Sequence, residues 1–142
     1  MGDTAVEVMR RYCAAMEVGP EGCIAEMAPN IVLHTPCIPP PIPKVLTGRE
    51  AVAATFDYLY TKLFKQFRWL ELNVLATADP TIAVARAKSD IILQDGRSYS
   101  NDYCFWARIE NGKIVEKHEF MDGFRVVAAL EGLAGSGPEI AQ

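Results

Sequence analysis

Near Phe67 the apolar periodicity of this 142-residue chain changes from helical to two. Before that point Val6, Met9, Cys13 and Met16 recur at threes and fours, and so do Val52, Phe56, Leu59 and Leu63, the stripes of two amphipathic helices. Beyond it, alternation predicts strands over about 67–77, 81–94, 97–110 and 113–122. Ala78-Asp79-Pro80 turns the first pair. Asp95-Gly96 and Asn111-Gly112 follow, dipeptides favoured in two-residue hairpin turns, which need positive φ. Helices in the first half and an antiparallel meander in the second make the fold class α+β. Long strands twist and curl, and the concave face needs a cover that only the N-terminal helices supply. A sheet curled around helices leaves a conical pocket for a small molecule.

The helical half has its own punctuation. A helix over 3–17 is stopped by Gly19-Pro20, and a shorter one over about 21–28 ends at Pro29. Ile31-Val32-Leu33 reads as a short strand, and residues 36–43 as a stiff proline segment barred from a sheet interior. Thr47-Gly48-Arg49-Glu50 has the form of a capping box, with Thr47 as N-cap of a helix to about Phe64. Residues 123–131 are a short helix or a strand extension, and 132–142 a frayed tail. Neither a repeat nor a linker interrupts the chain, so a single domain over 1–142 is expected.

Composition removes several classes of function. The net charge is −4 and no basic run or stripe exists, so a nucleic-acid partner is not expected. The uncharged stretch Ala28 to Pro43 holds a histidine and six prolines, and the N-terminus is charged. No membrane span or signal peptide is expected, and the location should be cytoplasmic. Cys13, Cys23, Cys37 and Cys104 lack metal-ligand spacing and read as small buried apolar residues. With only His34 and His118 besides, no metal is expected. Walker, Rossmann and G-x-S-x-G patterns are also missing, so no cofactor is expected.

With helices first, Thr47-Gly48-Arg49-Glu50-Ala51 at a helix start and Asn111-Gly112-Lys113-Ile114 leading into a last strand, the chain resembles the nuclear-transport-factor-2-like superfamily over about residues 3–130. That superfamily includes ketosteroid isomerase and SnoaL-like polyketide cyclases. Within it the chain is most similar to phenazine-biosynthesis A/B proteins, through Thr77-Ala78-Asp79-Pro80, Asn101-Asp102-Tyr103 with Phe105, Glu110-Asn111-Gly112-Lys113-Ile114 and Glu119-Phe120-Met121-Asp122. The resemblance implies a cystatin-like cone binding a small cyclic substrate, with acid–base residues that include a glutamate matching Glu119. The family's Asn-His-Phe and Glu-Phe-Met-Asn are here Asn101-Asp102-Tyr103 and Glu119-Phe120-Met121-Asp122, each change adding a carboxylate. Thr35 precedes Pro36 where ketosteroid isomerases carry their aspartate base. Limonene epoxide hydrolases are matched at Arg86 and Asp122, but Lys88 stands where their second aspartate belongs.

Four residues are candidates for chemistry. Period two puts Val115, Lys117, Glu119 and Met121 on one face; if that face is concave, Glu119 is a carboxylate among apolar neighbours, suited to proton transfer. Asp122 falls on the opposite face unless the strand end turns it inward. Tyr103 is a hydrogen-bond donor for a developing oxyanion, and His34, before the proline segment, a proton shuttle at the pocket mouth. Folding about Asn111-Gly112 sets Tyr103 near Phe120, with a one-residue slip left open. Asn101, Phe105, Met121, Phe56 and Trp69 are candidate substrate-binding residues.

Three functions compete. The first is a cofactor-free acid–base enzyme (isomerase, cyclase, dehydratase or condensing type) acting on a small cyclic, hydrophobic, carbonyl-containing metabolite. The second is a pocket that binds such a molecule without chemistry. The third is an interaction subunit. A homodimer through the sheet face is expected, in keeping with a mean hydropathy of +0.07.

Overall fold

The computed structural model describes residues 3–40 and 42–131. Helix α1 spans Ala5–Met16 and α2 Pro20–Ala25. Strands β1 (Met27–His34) and β2 (Val45–Thr47) follow, then α3 (Arg49–Tyr58), which runs into a π-helical turn, Leu59–Leu63. The second half holds β3 (Phe64–Ala76), β4 (Ile82–Leu93), β5 (Ser98–Tyr99), β6 (Asp102–Glu110), β7 (Lys113–Met121) and α4 (Gly123–Glu131). The tail expected over 132–142 lies outside the described residues.

One sheet takes the order β2-β1-β7-β6-β4-β3, with β5 on β4. All pairings are antiparallel except β1 with β7. Glu119 therefore lies inside the sheet, on a strand flanked by β1 and β6. Bulges break β3 against β4 at two places and β6 against β7 between Arg108 and Ile109. Each adds local twist, and together they curl the sheet around α1. Ala83, Ala85 and Ala87 on the concave face of β4 are small enough for α1 to come close. The helix answers with Val8, Met9, Tyr12, Cys13 and Met16, all buried.

Several local expectations are corrected. The capping box belongs to α1, where Thr4 Oγ1 accepts from the Glu7 amide and Glu7 Oε2 from the Thr4 amide, both at 3.1 Å. Thr47 pairs with Val32 in β2 instead, and Gly48, at φ 92, starts α3 without a side-chain cap. Pro29 ends no helix; it lies in β1 where the register against β7 shifts, a place that needs no amide donor. Asn111 and Gly112 have φ of 53 and 76 and form the expected two-residue turn. Asp95-Gly96 sits in a longer connection from Leu93 to Ser98, and only Gly96 takes positive φ, at 90. The strand expected over 97–110 is broken at Asn101, whose amide bonds to Ser89 Oγ rather than to backbone. Cys13 and Cys23 are buried as expected, but Cys37 is half-buried and Cys104 exposed.

The mouth of the cone is covered from one side. Lys44 Nζ donates to the carbonyls of Pro36 and Ile38, both at 3.0 Å, drawing the proline segment into a loop. Gly123, at the start of α4, lies against that loop so closely that a Cβ there would meet Cys37 O at 2.5 Å. Loop and helix thus form a joint lid.

Candidate active site

The bulge at Arg108/Ile109 decides which residues enter the cone. On its turn side Ile109 faces Ile114; past it, Phe105 faces Glu119 and Tyr103 faces Met121. The slip left open by the sequence falls so that Glu119 shares the concave face with Tyr103 and Phe105. The same extra residue makes Ile114, rather than Val115, the buried partner of Lys117 and Glu119 on that face.

Glu119 is 8% exposed, and Lys117, two residues before it, is fully buried. Lys117 Nζ donates to Glu119 Oε1, and the Tyr12 hydroxyl donates to the same oxygen at 3.4 Å. The ammonium also sits 3.7 Å from the centroid of the Phe105 ring and 4.5 Å from that of Tyr12. A lone buried charge costs several kcal/mol; here each ion faces its counter-ion, and two aromatic faces add roughly 1–2 kcal/mol of cation–π attraction. Oε1 thus takes the protein's hydrogen bonds. Oε2 has no hydrogen-bond partner among the described residues, and Glu119 is part of the cavity lining.

That cavity measures about 80 Å³. Phe56, Tyr60, Phe64 and Phe67 form one wall, Tyr99, Tyr103 and Met121 another, and Ile38, Ile42, Val126 and Leu130 the lid. Among the described residues lining it, Glu119 is the single charged one. Its volume is about half of the roughly 150 Å³ known to admit benzene, so the cavity must widen to take a ring. The tyrosines are held as hydroxyl donors. Burial pushes Tyr103 well above its usual range, with the nearby Tyr99 adding to the rise. Tyr99 is raised too, again first by burial, and its oxygen accepts from Asn101 Nδ2 at 2.7 Å. The Tyr60 hydroxyl is committed to Met16 O at 2.5 Å.

Of the residues singled out from sequence, Glu119, Tyr103, Phe56 and Met121 line this cavity. Phe105 lies behind it as the ring under Lys117, and Trp69 packs edge-on to Tyr103 at 5.4 Å. Trp69 is fixed to α1: its indole donates to Cys13 O and its amide to Glu17 Oε2, both at 2.8 Å. The other three stand elsewhere. Asn101 is completely buried, with both ends engaged: Nδ2 donates to Tyr99 and to Asp122 O, while Oδ1 accepts from the amides of Asp102 and Asp122. It buckles β6 to the start of α4 and has no polar atom to spare for a substrate. Asp122 is exposed; its Oδ1 accepts from the Phe124 amide at 3.0 Å, a helix cap, and its Oδ2 lies 3.6 Å from Arg125. His34 is off the mouth and on the outer face, its ring stacked on His118 at 4.1 Å. Lys117 and Tyr12 were missed. The face shared by Lys117 and Glu119 was visible in the alternation; Tyr12 lay outside the stripe of Val6, Met9, Cys13 and Met16, and that they meet was not visible.

A family model described as SnoaL-like domain matches residues 9–117 of the 142. The chain belongs to the SnoaL-like family. The matched stretch carries Tyr12, Tyr103 and Lys117 and stops two residues short of Glu119. Solved structures repeat the cone of this SnoaL-like chain. A Bacillus subtilis protein named as a candidate isomerase superposes with a TM-score of 0.79 at 21% identity, over 90% of this chain and 93% of its own. A Pseudomonas putida protein named as a candidate polyketide cyclase gives 0.71 at 18%, over 84% and 92%. A phenazine biosynthesis-related protein of Pseudomonas aeruginosa gives 0.69 at 18%, over 89% and 83%. At such identities the likeness shows a shared fold. No curated protein matches the sequence. Among the described residues no helix is long and apolar enough to cross a membrane.

Proposed function

We propose that this SnoaL-like chain is an acid–base enzyme of isomerase, cyclase, dehydratase or condensing type that needs no cofactor. Its substrate is a small, uncharged, cyclic metabolite with a carbonyl group. One observation carries the reading: among the described residues, Glu119 is the single charged one lining an otherwise apolar and aromatic cavity. A carboxylate there is suited to take a proton from carbon, because little water competes for it. Its Oε2 accepts the proton while Lys117 and Tyr12 hold Oε1 and fix the orientation. Tyr103 and Tyr99, on the same cavity wall, are the donors for an enolate oxygen. A substrate with a carboxylate or phosphate is disfavoured: the described lining residues include no cation, and Lys117 is sealed behind Glu119. The names of the structural neighbours, candidate isomerase and candidate polyketide cyclase, support chemistry of this kind.

The engaged Oε1 favours a second reading, in which the pair is structural and the cone only binds its ligand. One experiment separates the two. Cyclic ketones and enones are screened by thermal shift against the wild type and Glu119→Gln. The hits are then incubated in D2O and followed by NMR for deuterium uptake next to the carbonyl. Enzymatic exchange that falls about 10²–10⁴-fold in Glu119→Gln, with binding retained, fits a general base. Ligands returned without deuterium by the wild type establish the binding reading, and equal exchange by both proteins removes Glu119 from the chemistry.

A further inference from the structure

The outer face of the sheet holds a cluster that the cone does not use. His34 ends β1, His118 lies in β7, and the parallel pairing of these strands makes the two direct neighbours. Their rings stack, centroids 4.1 Å apart and planes at 1°. Glu116, two residues before His118 and on the same face, places Oε2 2.9 Å from His118 Nε2. One ligand atom from each of the three lies within 4.8 Å of the others, and all three side chains are half-buried. Among the described residues no other trio of His, Cys, Asp or Glu comes so close.

We propose that His34, Glu116 and His118 bind a divalent first-row transition ion, Zn²⁺ in the first instance. Two imidazole nitrogens and one carboxylate oxygen are the donor set these ions take, and alkaline-earth ions avoid it because they prefer all-oxygen shells. Ligand atoms at about 2.0–2.2 Å from one ion are themselves roughly 3–3.5 Å apart. Glu116 and His118 already stand near that separation. His34 joins by turning its ring out of the stack about χ2, a soft torsion. The ion takes the place of the hydrogen bond between Glu116 Oε2 and His118 Nε2, and the imidazole then keeps its proton on Nδ1.

The surroundings serve such a site. Arg108 Nε, 3.7 Å from Glu116 Oε1, holds that oxygen aside and leaves Oε2 turned to the histidine. The Trp106 ring meets His118 edge-on at 5.2 Å and fixes its plane. The remaining coordination positions are open to water, as half-exposed ligands require. A bound ion would clamp β1 to β7, the one parallel pair of the sheet. Glu119 is turned to the opposite face of β7, so the ion and the cone are separate sites.

The sequence had argued against a metal because neither histidine belongs to a ligand motif. Glu116 and His118 share a face by the alternation of one strand, and His34 joins them only through strand pairing.

The test is titration of metal-free protein with ZnCl2 by calorimetry and with CoCl2 by visible absorption. Both use the Cys37→Ser/Cys104→Ser protein, since these two thiols are the accessible competitors. Expected are one ion per chain and Co²⁺ ligand-field bands without thiolate charge transfer. His34→Gln and His118→Gln should each weaken binding at least tenfold while keeping the metal-free Tm and circular dichroism. If His118→Gln does not fold, His34→Gln, at the strand end, carries the comparison. The proposal is overturned if no ion binds at millimolar concentration, or if affinity survives His34→Gln unchanged.

Discussion

Glu119 is a buried acid whose counter-charge comes from its own strand. Residues two apart on a strand project to one face, so a Lys-x-Glu on a buried face pairs without help from elsewhere. Here it pairs in a place with almost no water, and that sets the energetics. Lys117→Met leaves Glu119 without a counter-ion beside apolar rings, a loss expected to cost about 3–5 kcal/mol. Lys117→Met with Glu119→Leu removes both charges, and much of that stability should return. Urea unfolding of the wild type, both single variants and the double variant gives the coupling directly. A cost below about 1 kcal/mol for Lys117→Met would mean that water reaches the pair.

At the scale of elements, the lid is the part the cone depends on. It is built from two segments distant in the chain, the proline loop and α4, and they touch where Gly123 has no side chain. Gly123→Ala puts a Cβ 2.5 Å from the backbone oxygen of Cys37, so loop and helix must part. Overpacking of this kind costs about 1–3 kcal/mol. The variant should melt lower than the wild type. It should also admit cone ligands faster in stopped-flow quenching of Trp69, which stands 5.4 Å from Tyr103 in the cavity wall. Unchanged entry would place the opening elsewhere on the cone. The loop was legible in the sequence from its prolines and α4 only as a short helix or strand extension. Their contact was not, because nothing local in either segment refers to the other.

For the whole molecule, burial of neutral acids sets an alkaline limit. Burial pushes the Cys13 and Cys23 thiols from 9.0 up to about 12. Burial likewise lifts Tyr12 and Tyr103 well above 10.0. In each case the folded pKa lies above the unfolded one, so the unfolded chain loses its protons first. Stability is then complete below about pH 9 and falls as the pH rises from there toward 12, the tyrosines adding to the loss above pH 10. Tm read by circular dichroism from pH 7 to 11 should hold to about 9 and then decline steadily. A flat profile to pH 11 would show that water already reaches these groups in the folded state.

The alternation after Phe67, the Asn111-Gly112 turn and the helical stripes determined by themselves that this chain is α+β, with a curled meander closed by N-terminal helices. Those signals are local: a period of two or 3.6 and a turn that needs positive φ are properties of neighbouring residues. They also placed Glu119, Tyr103 and Met121 on strands able to face the cone. What only the tertiary structure decided was facing and convergence. A single bulge between Arg108 and Ile109 selected which side of β6 looks inward, and one-residue register carries no local signature. Tyr12 reaches Glu119, and His34 reaches His118, through packing and a parallel crossover that join distant segments. Asn101 and Asp122, polar residues in promising positions, were claimed by the backbone amides around them, because a buried amide or a helix start must find its partner first.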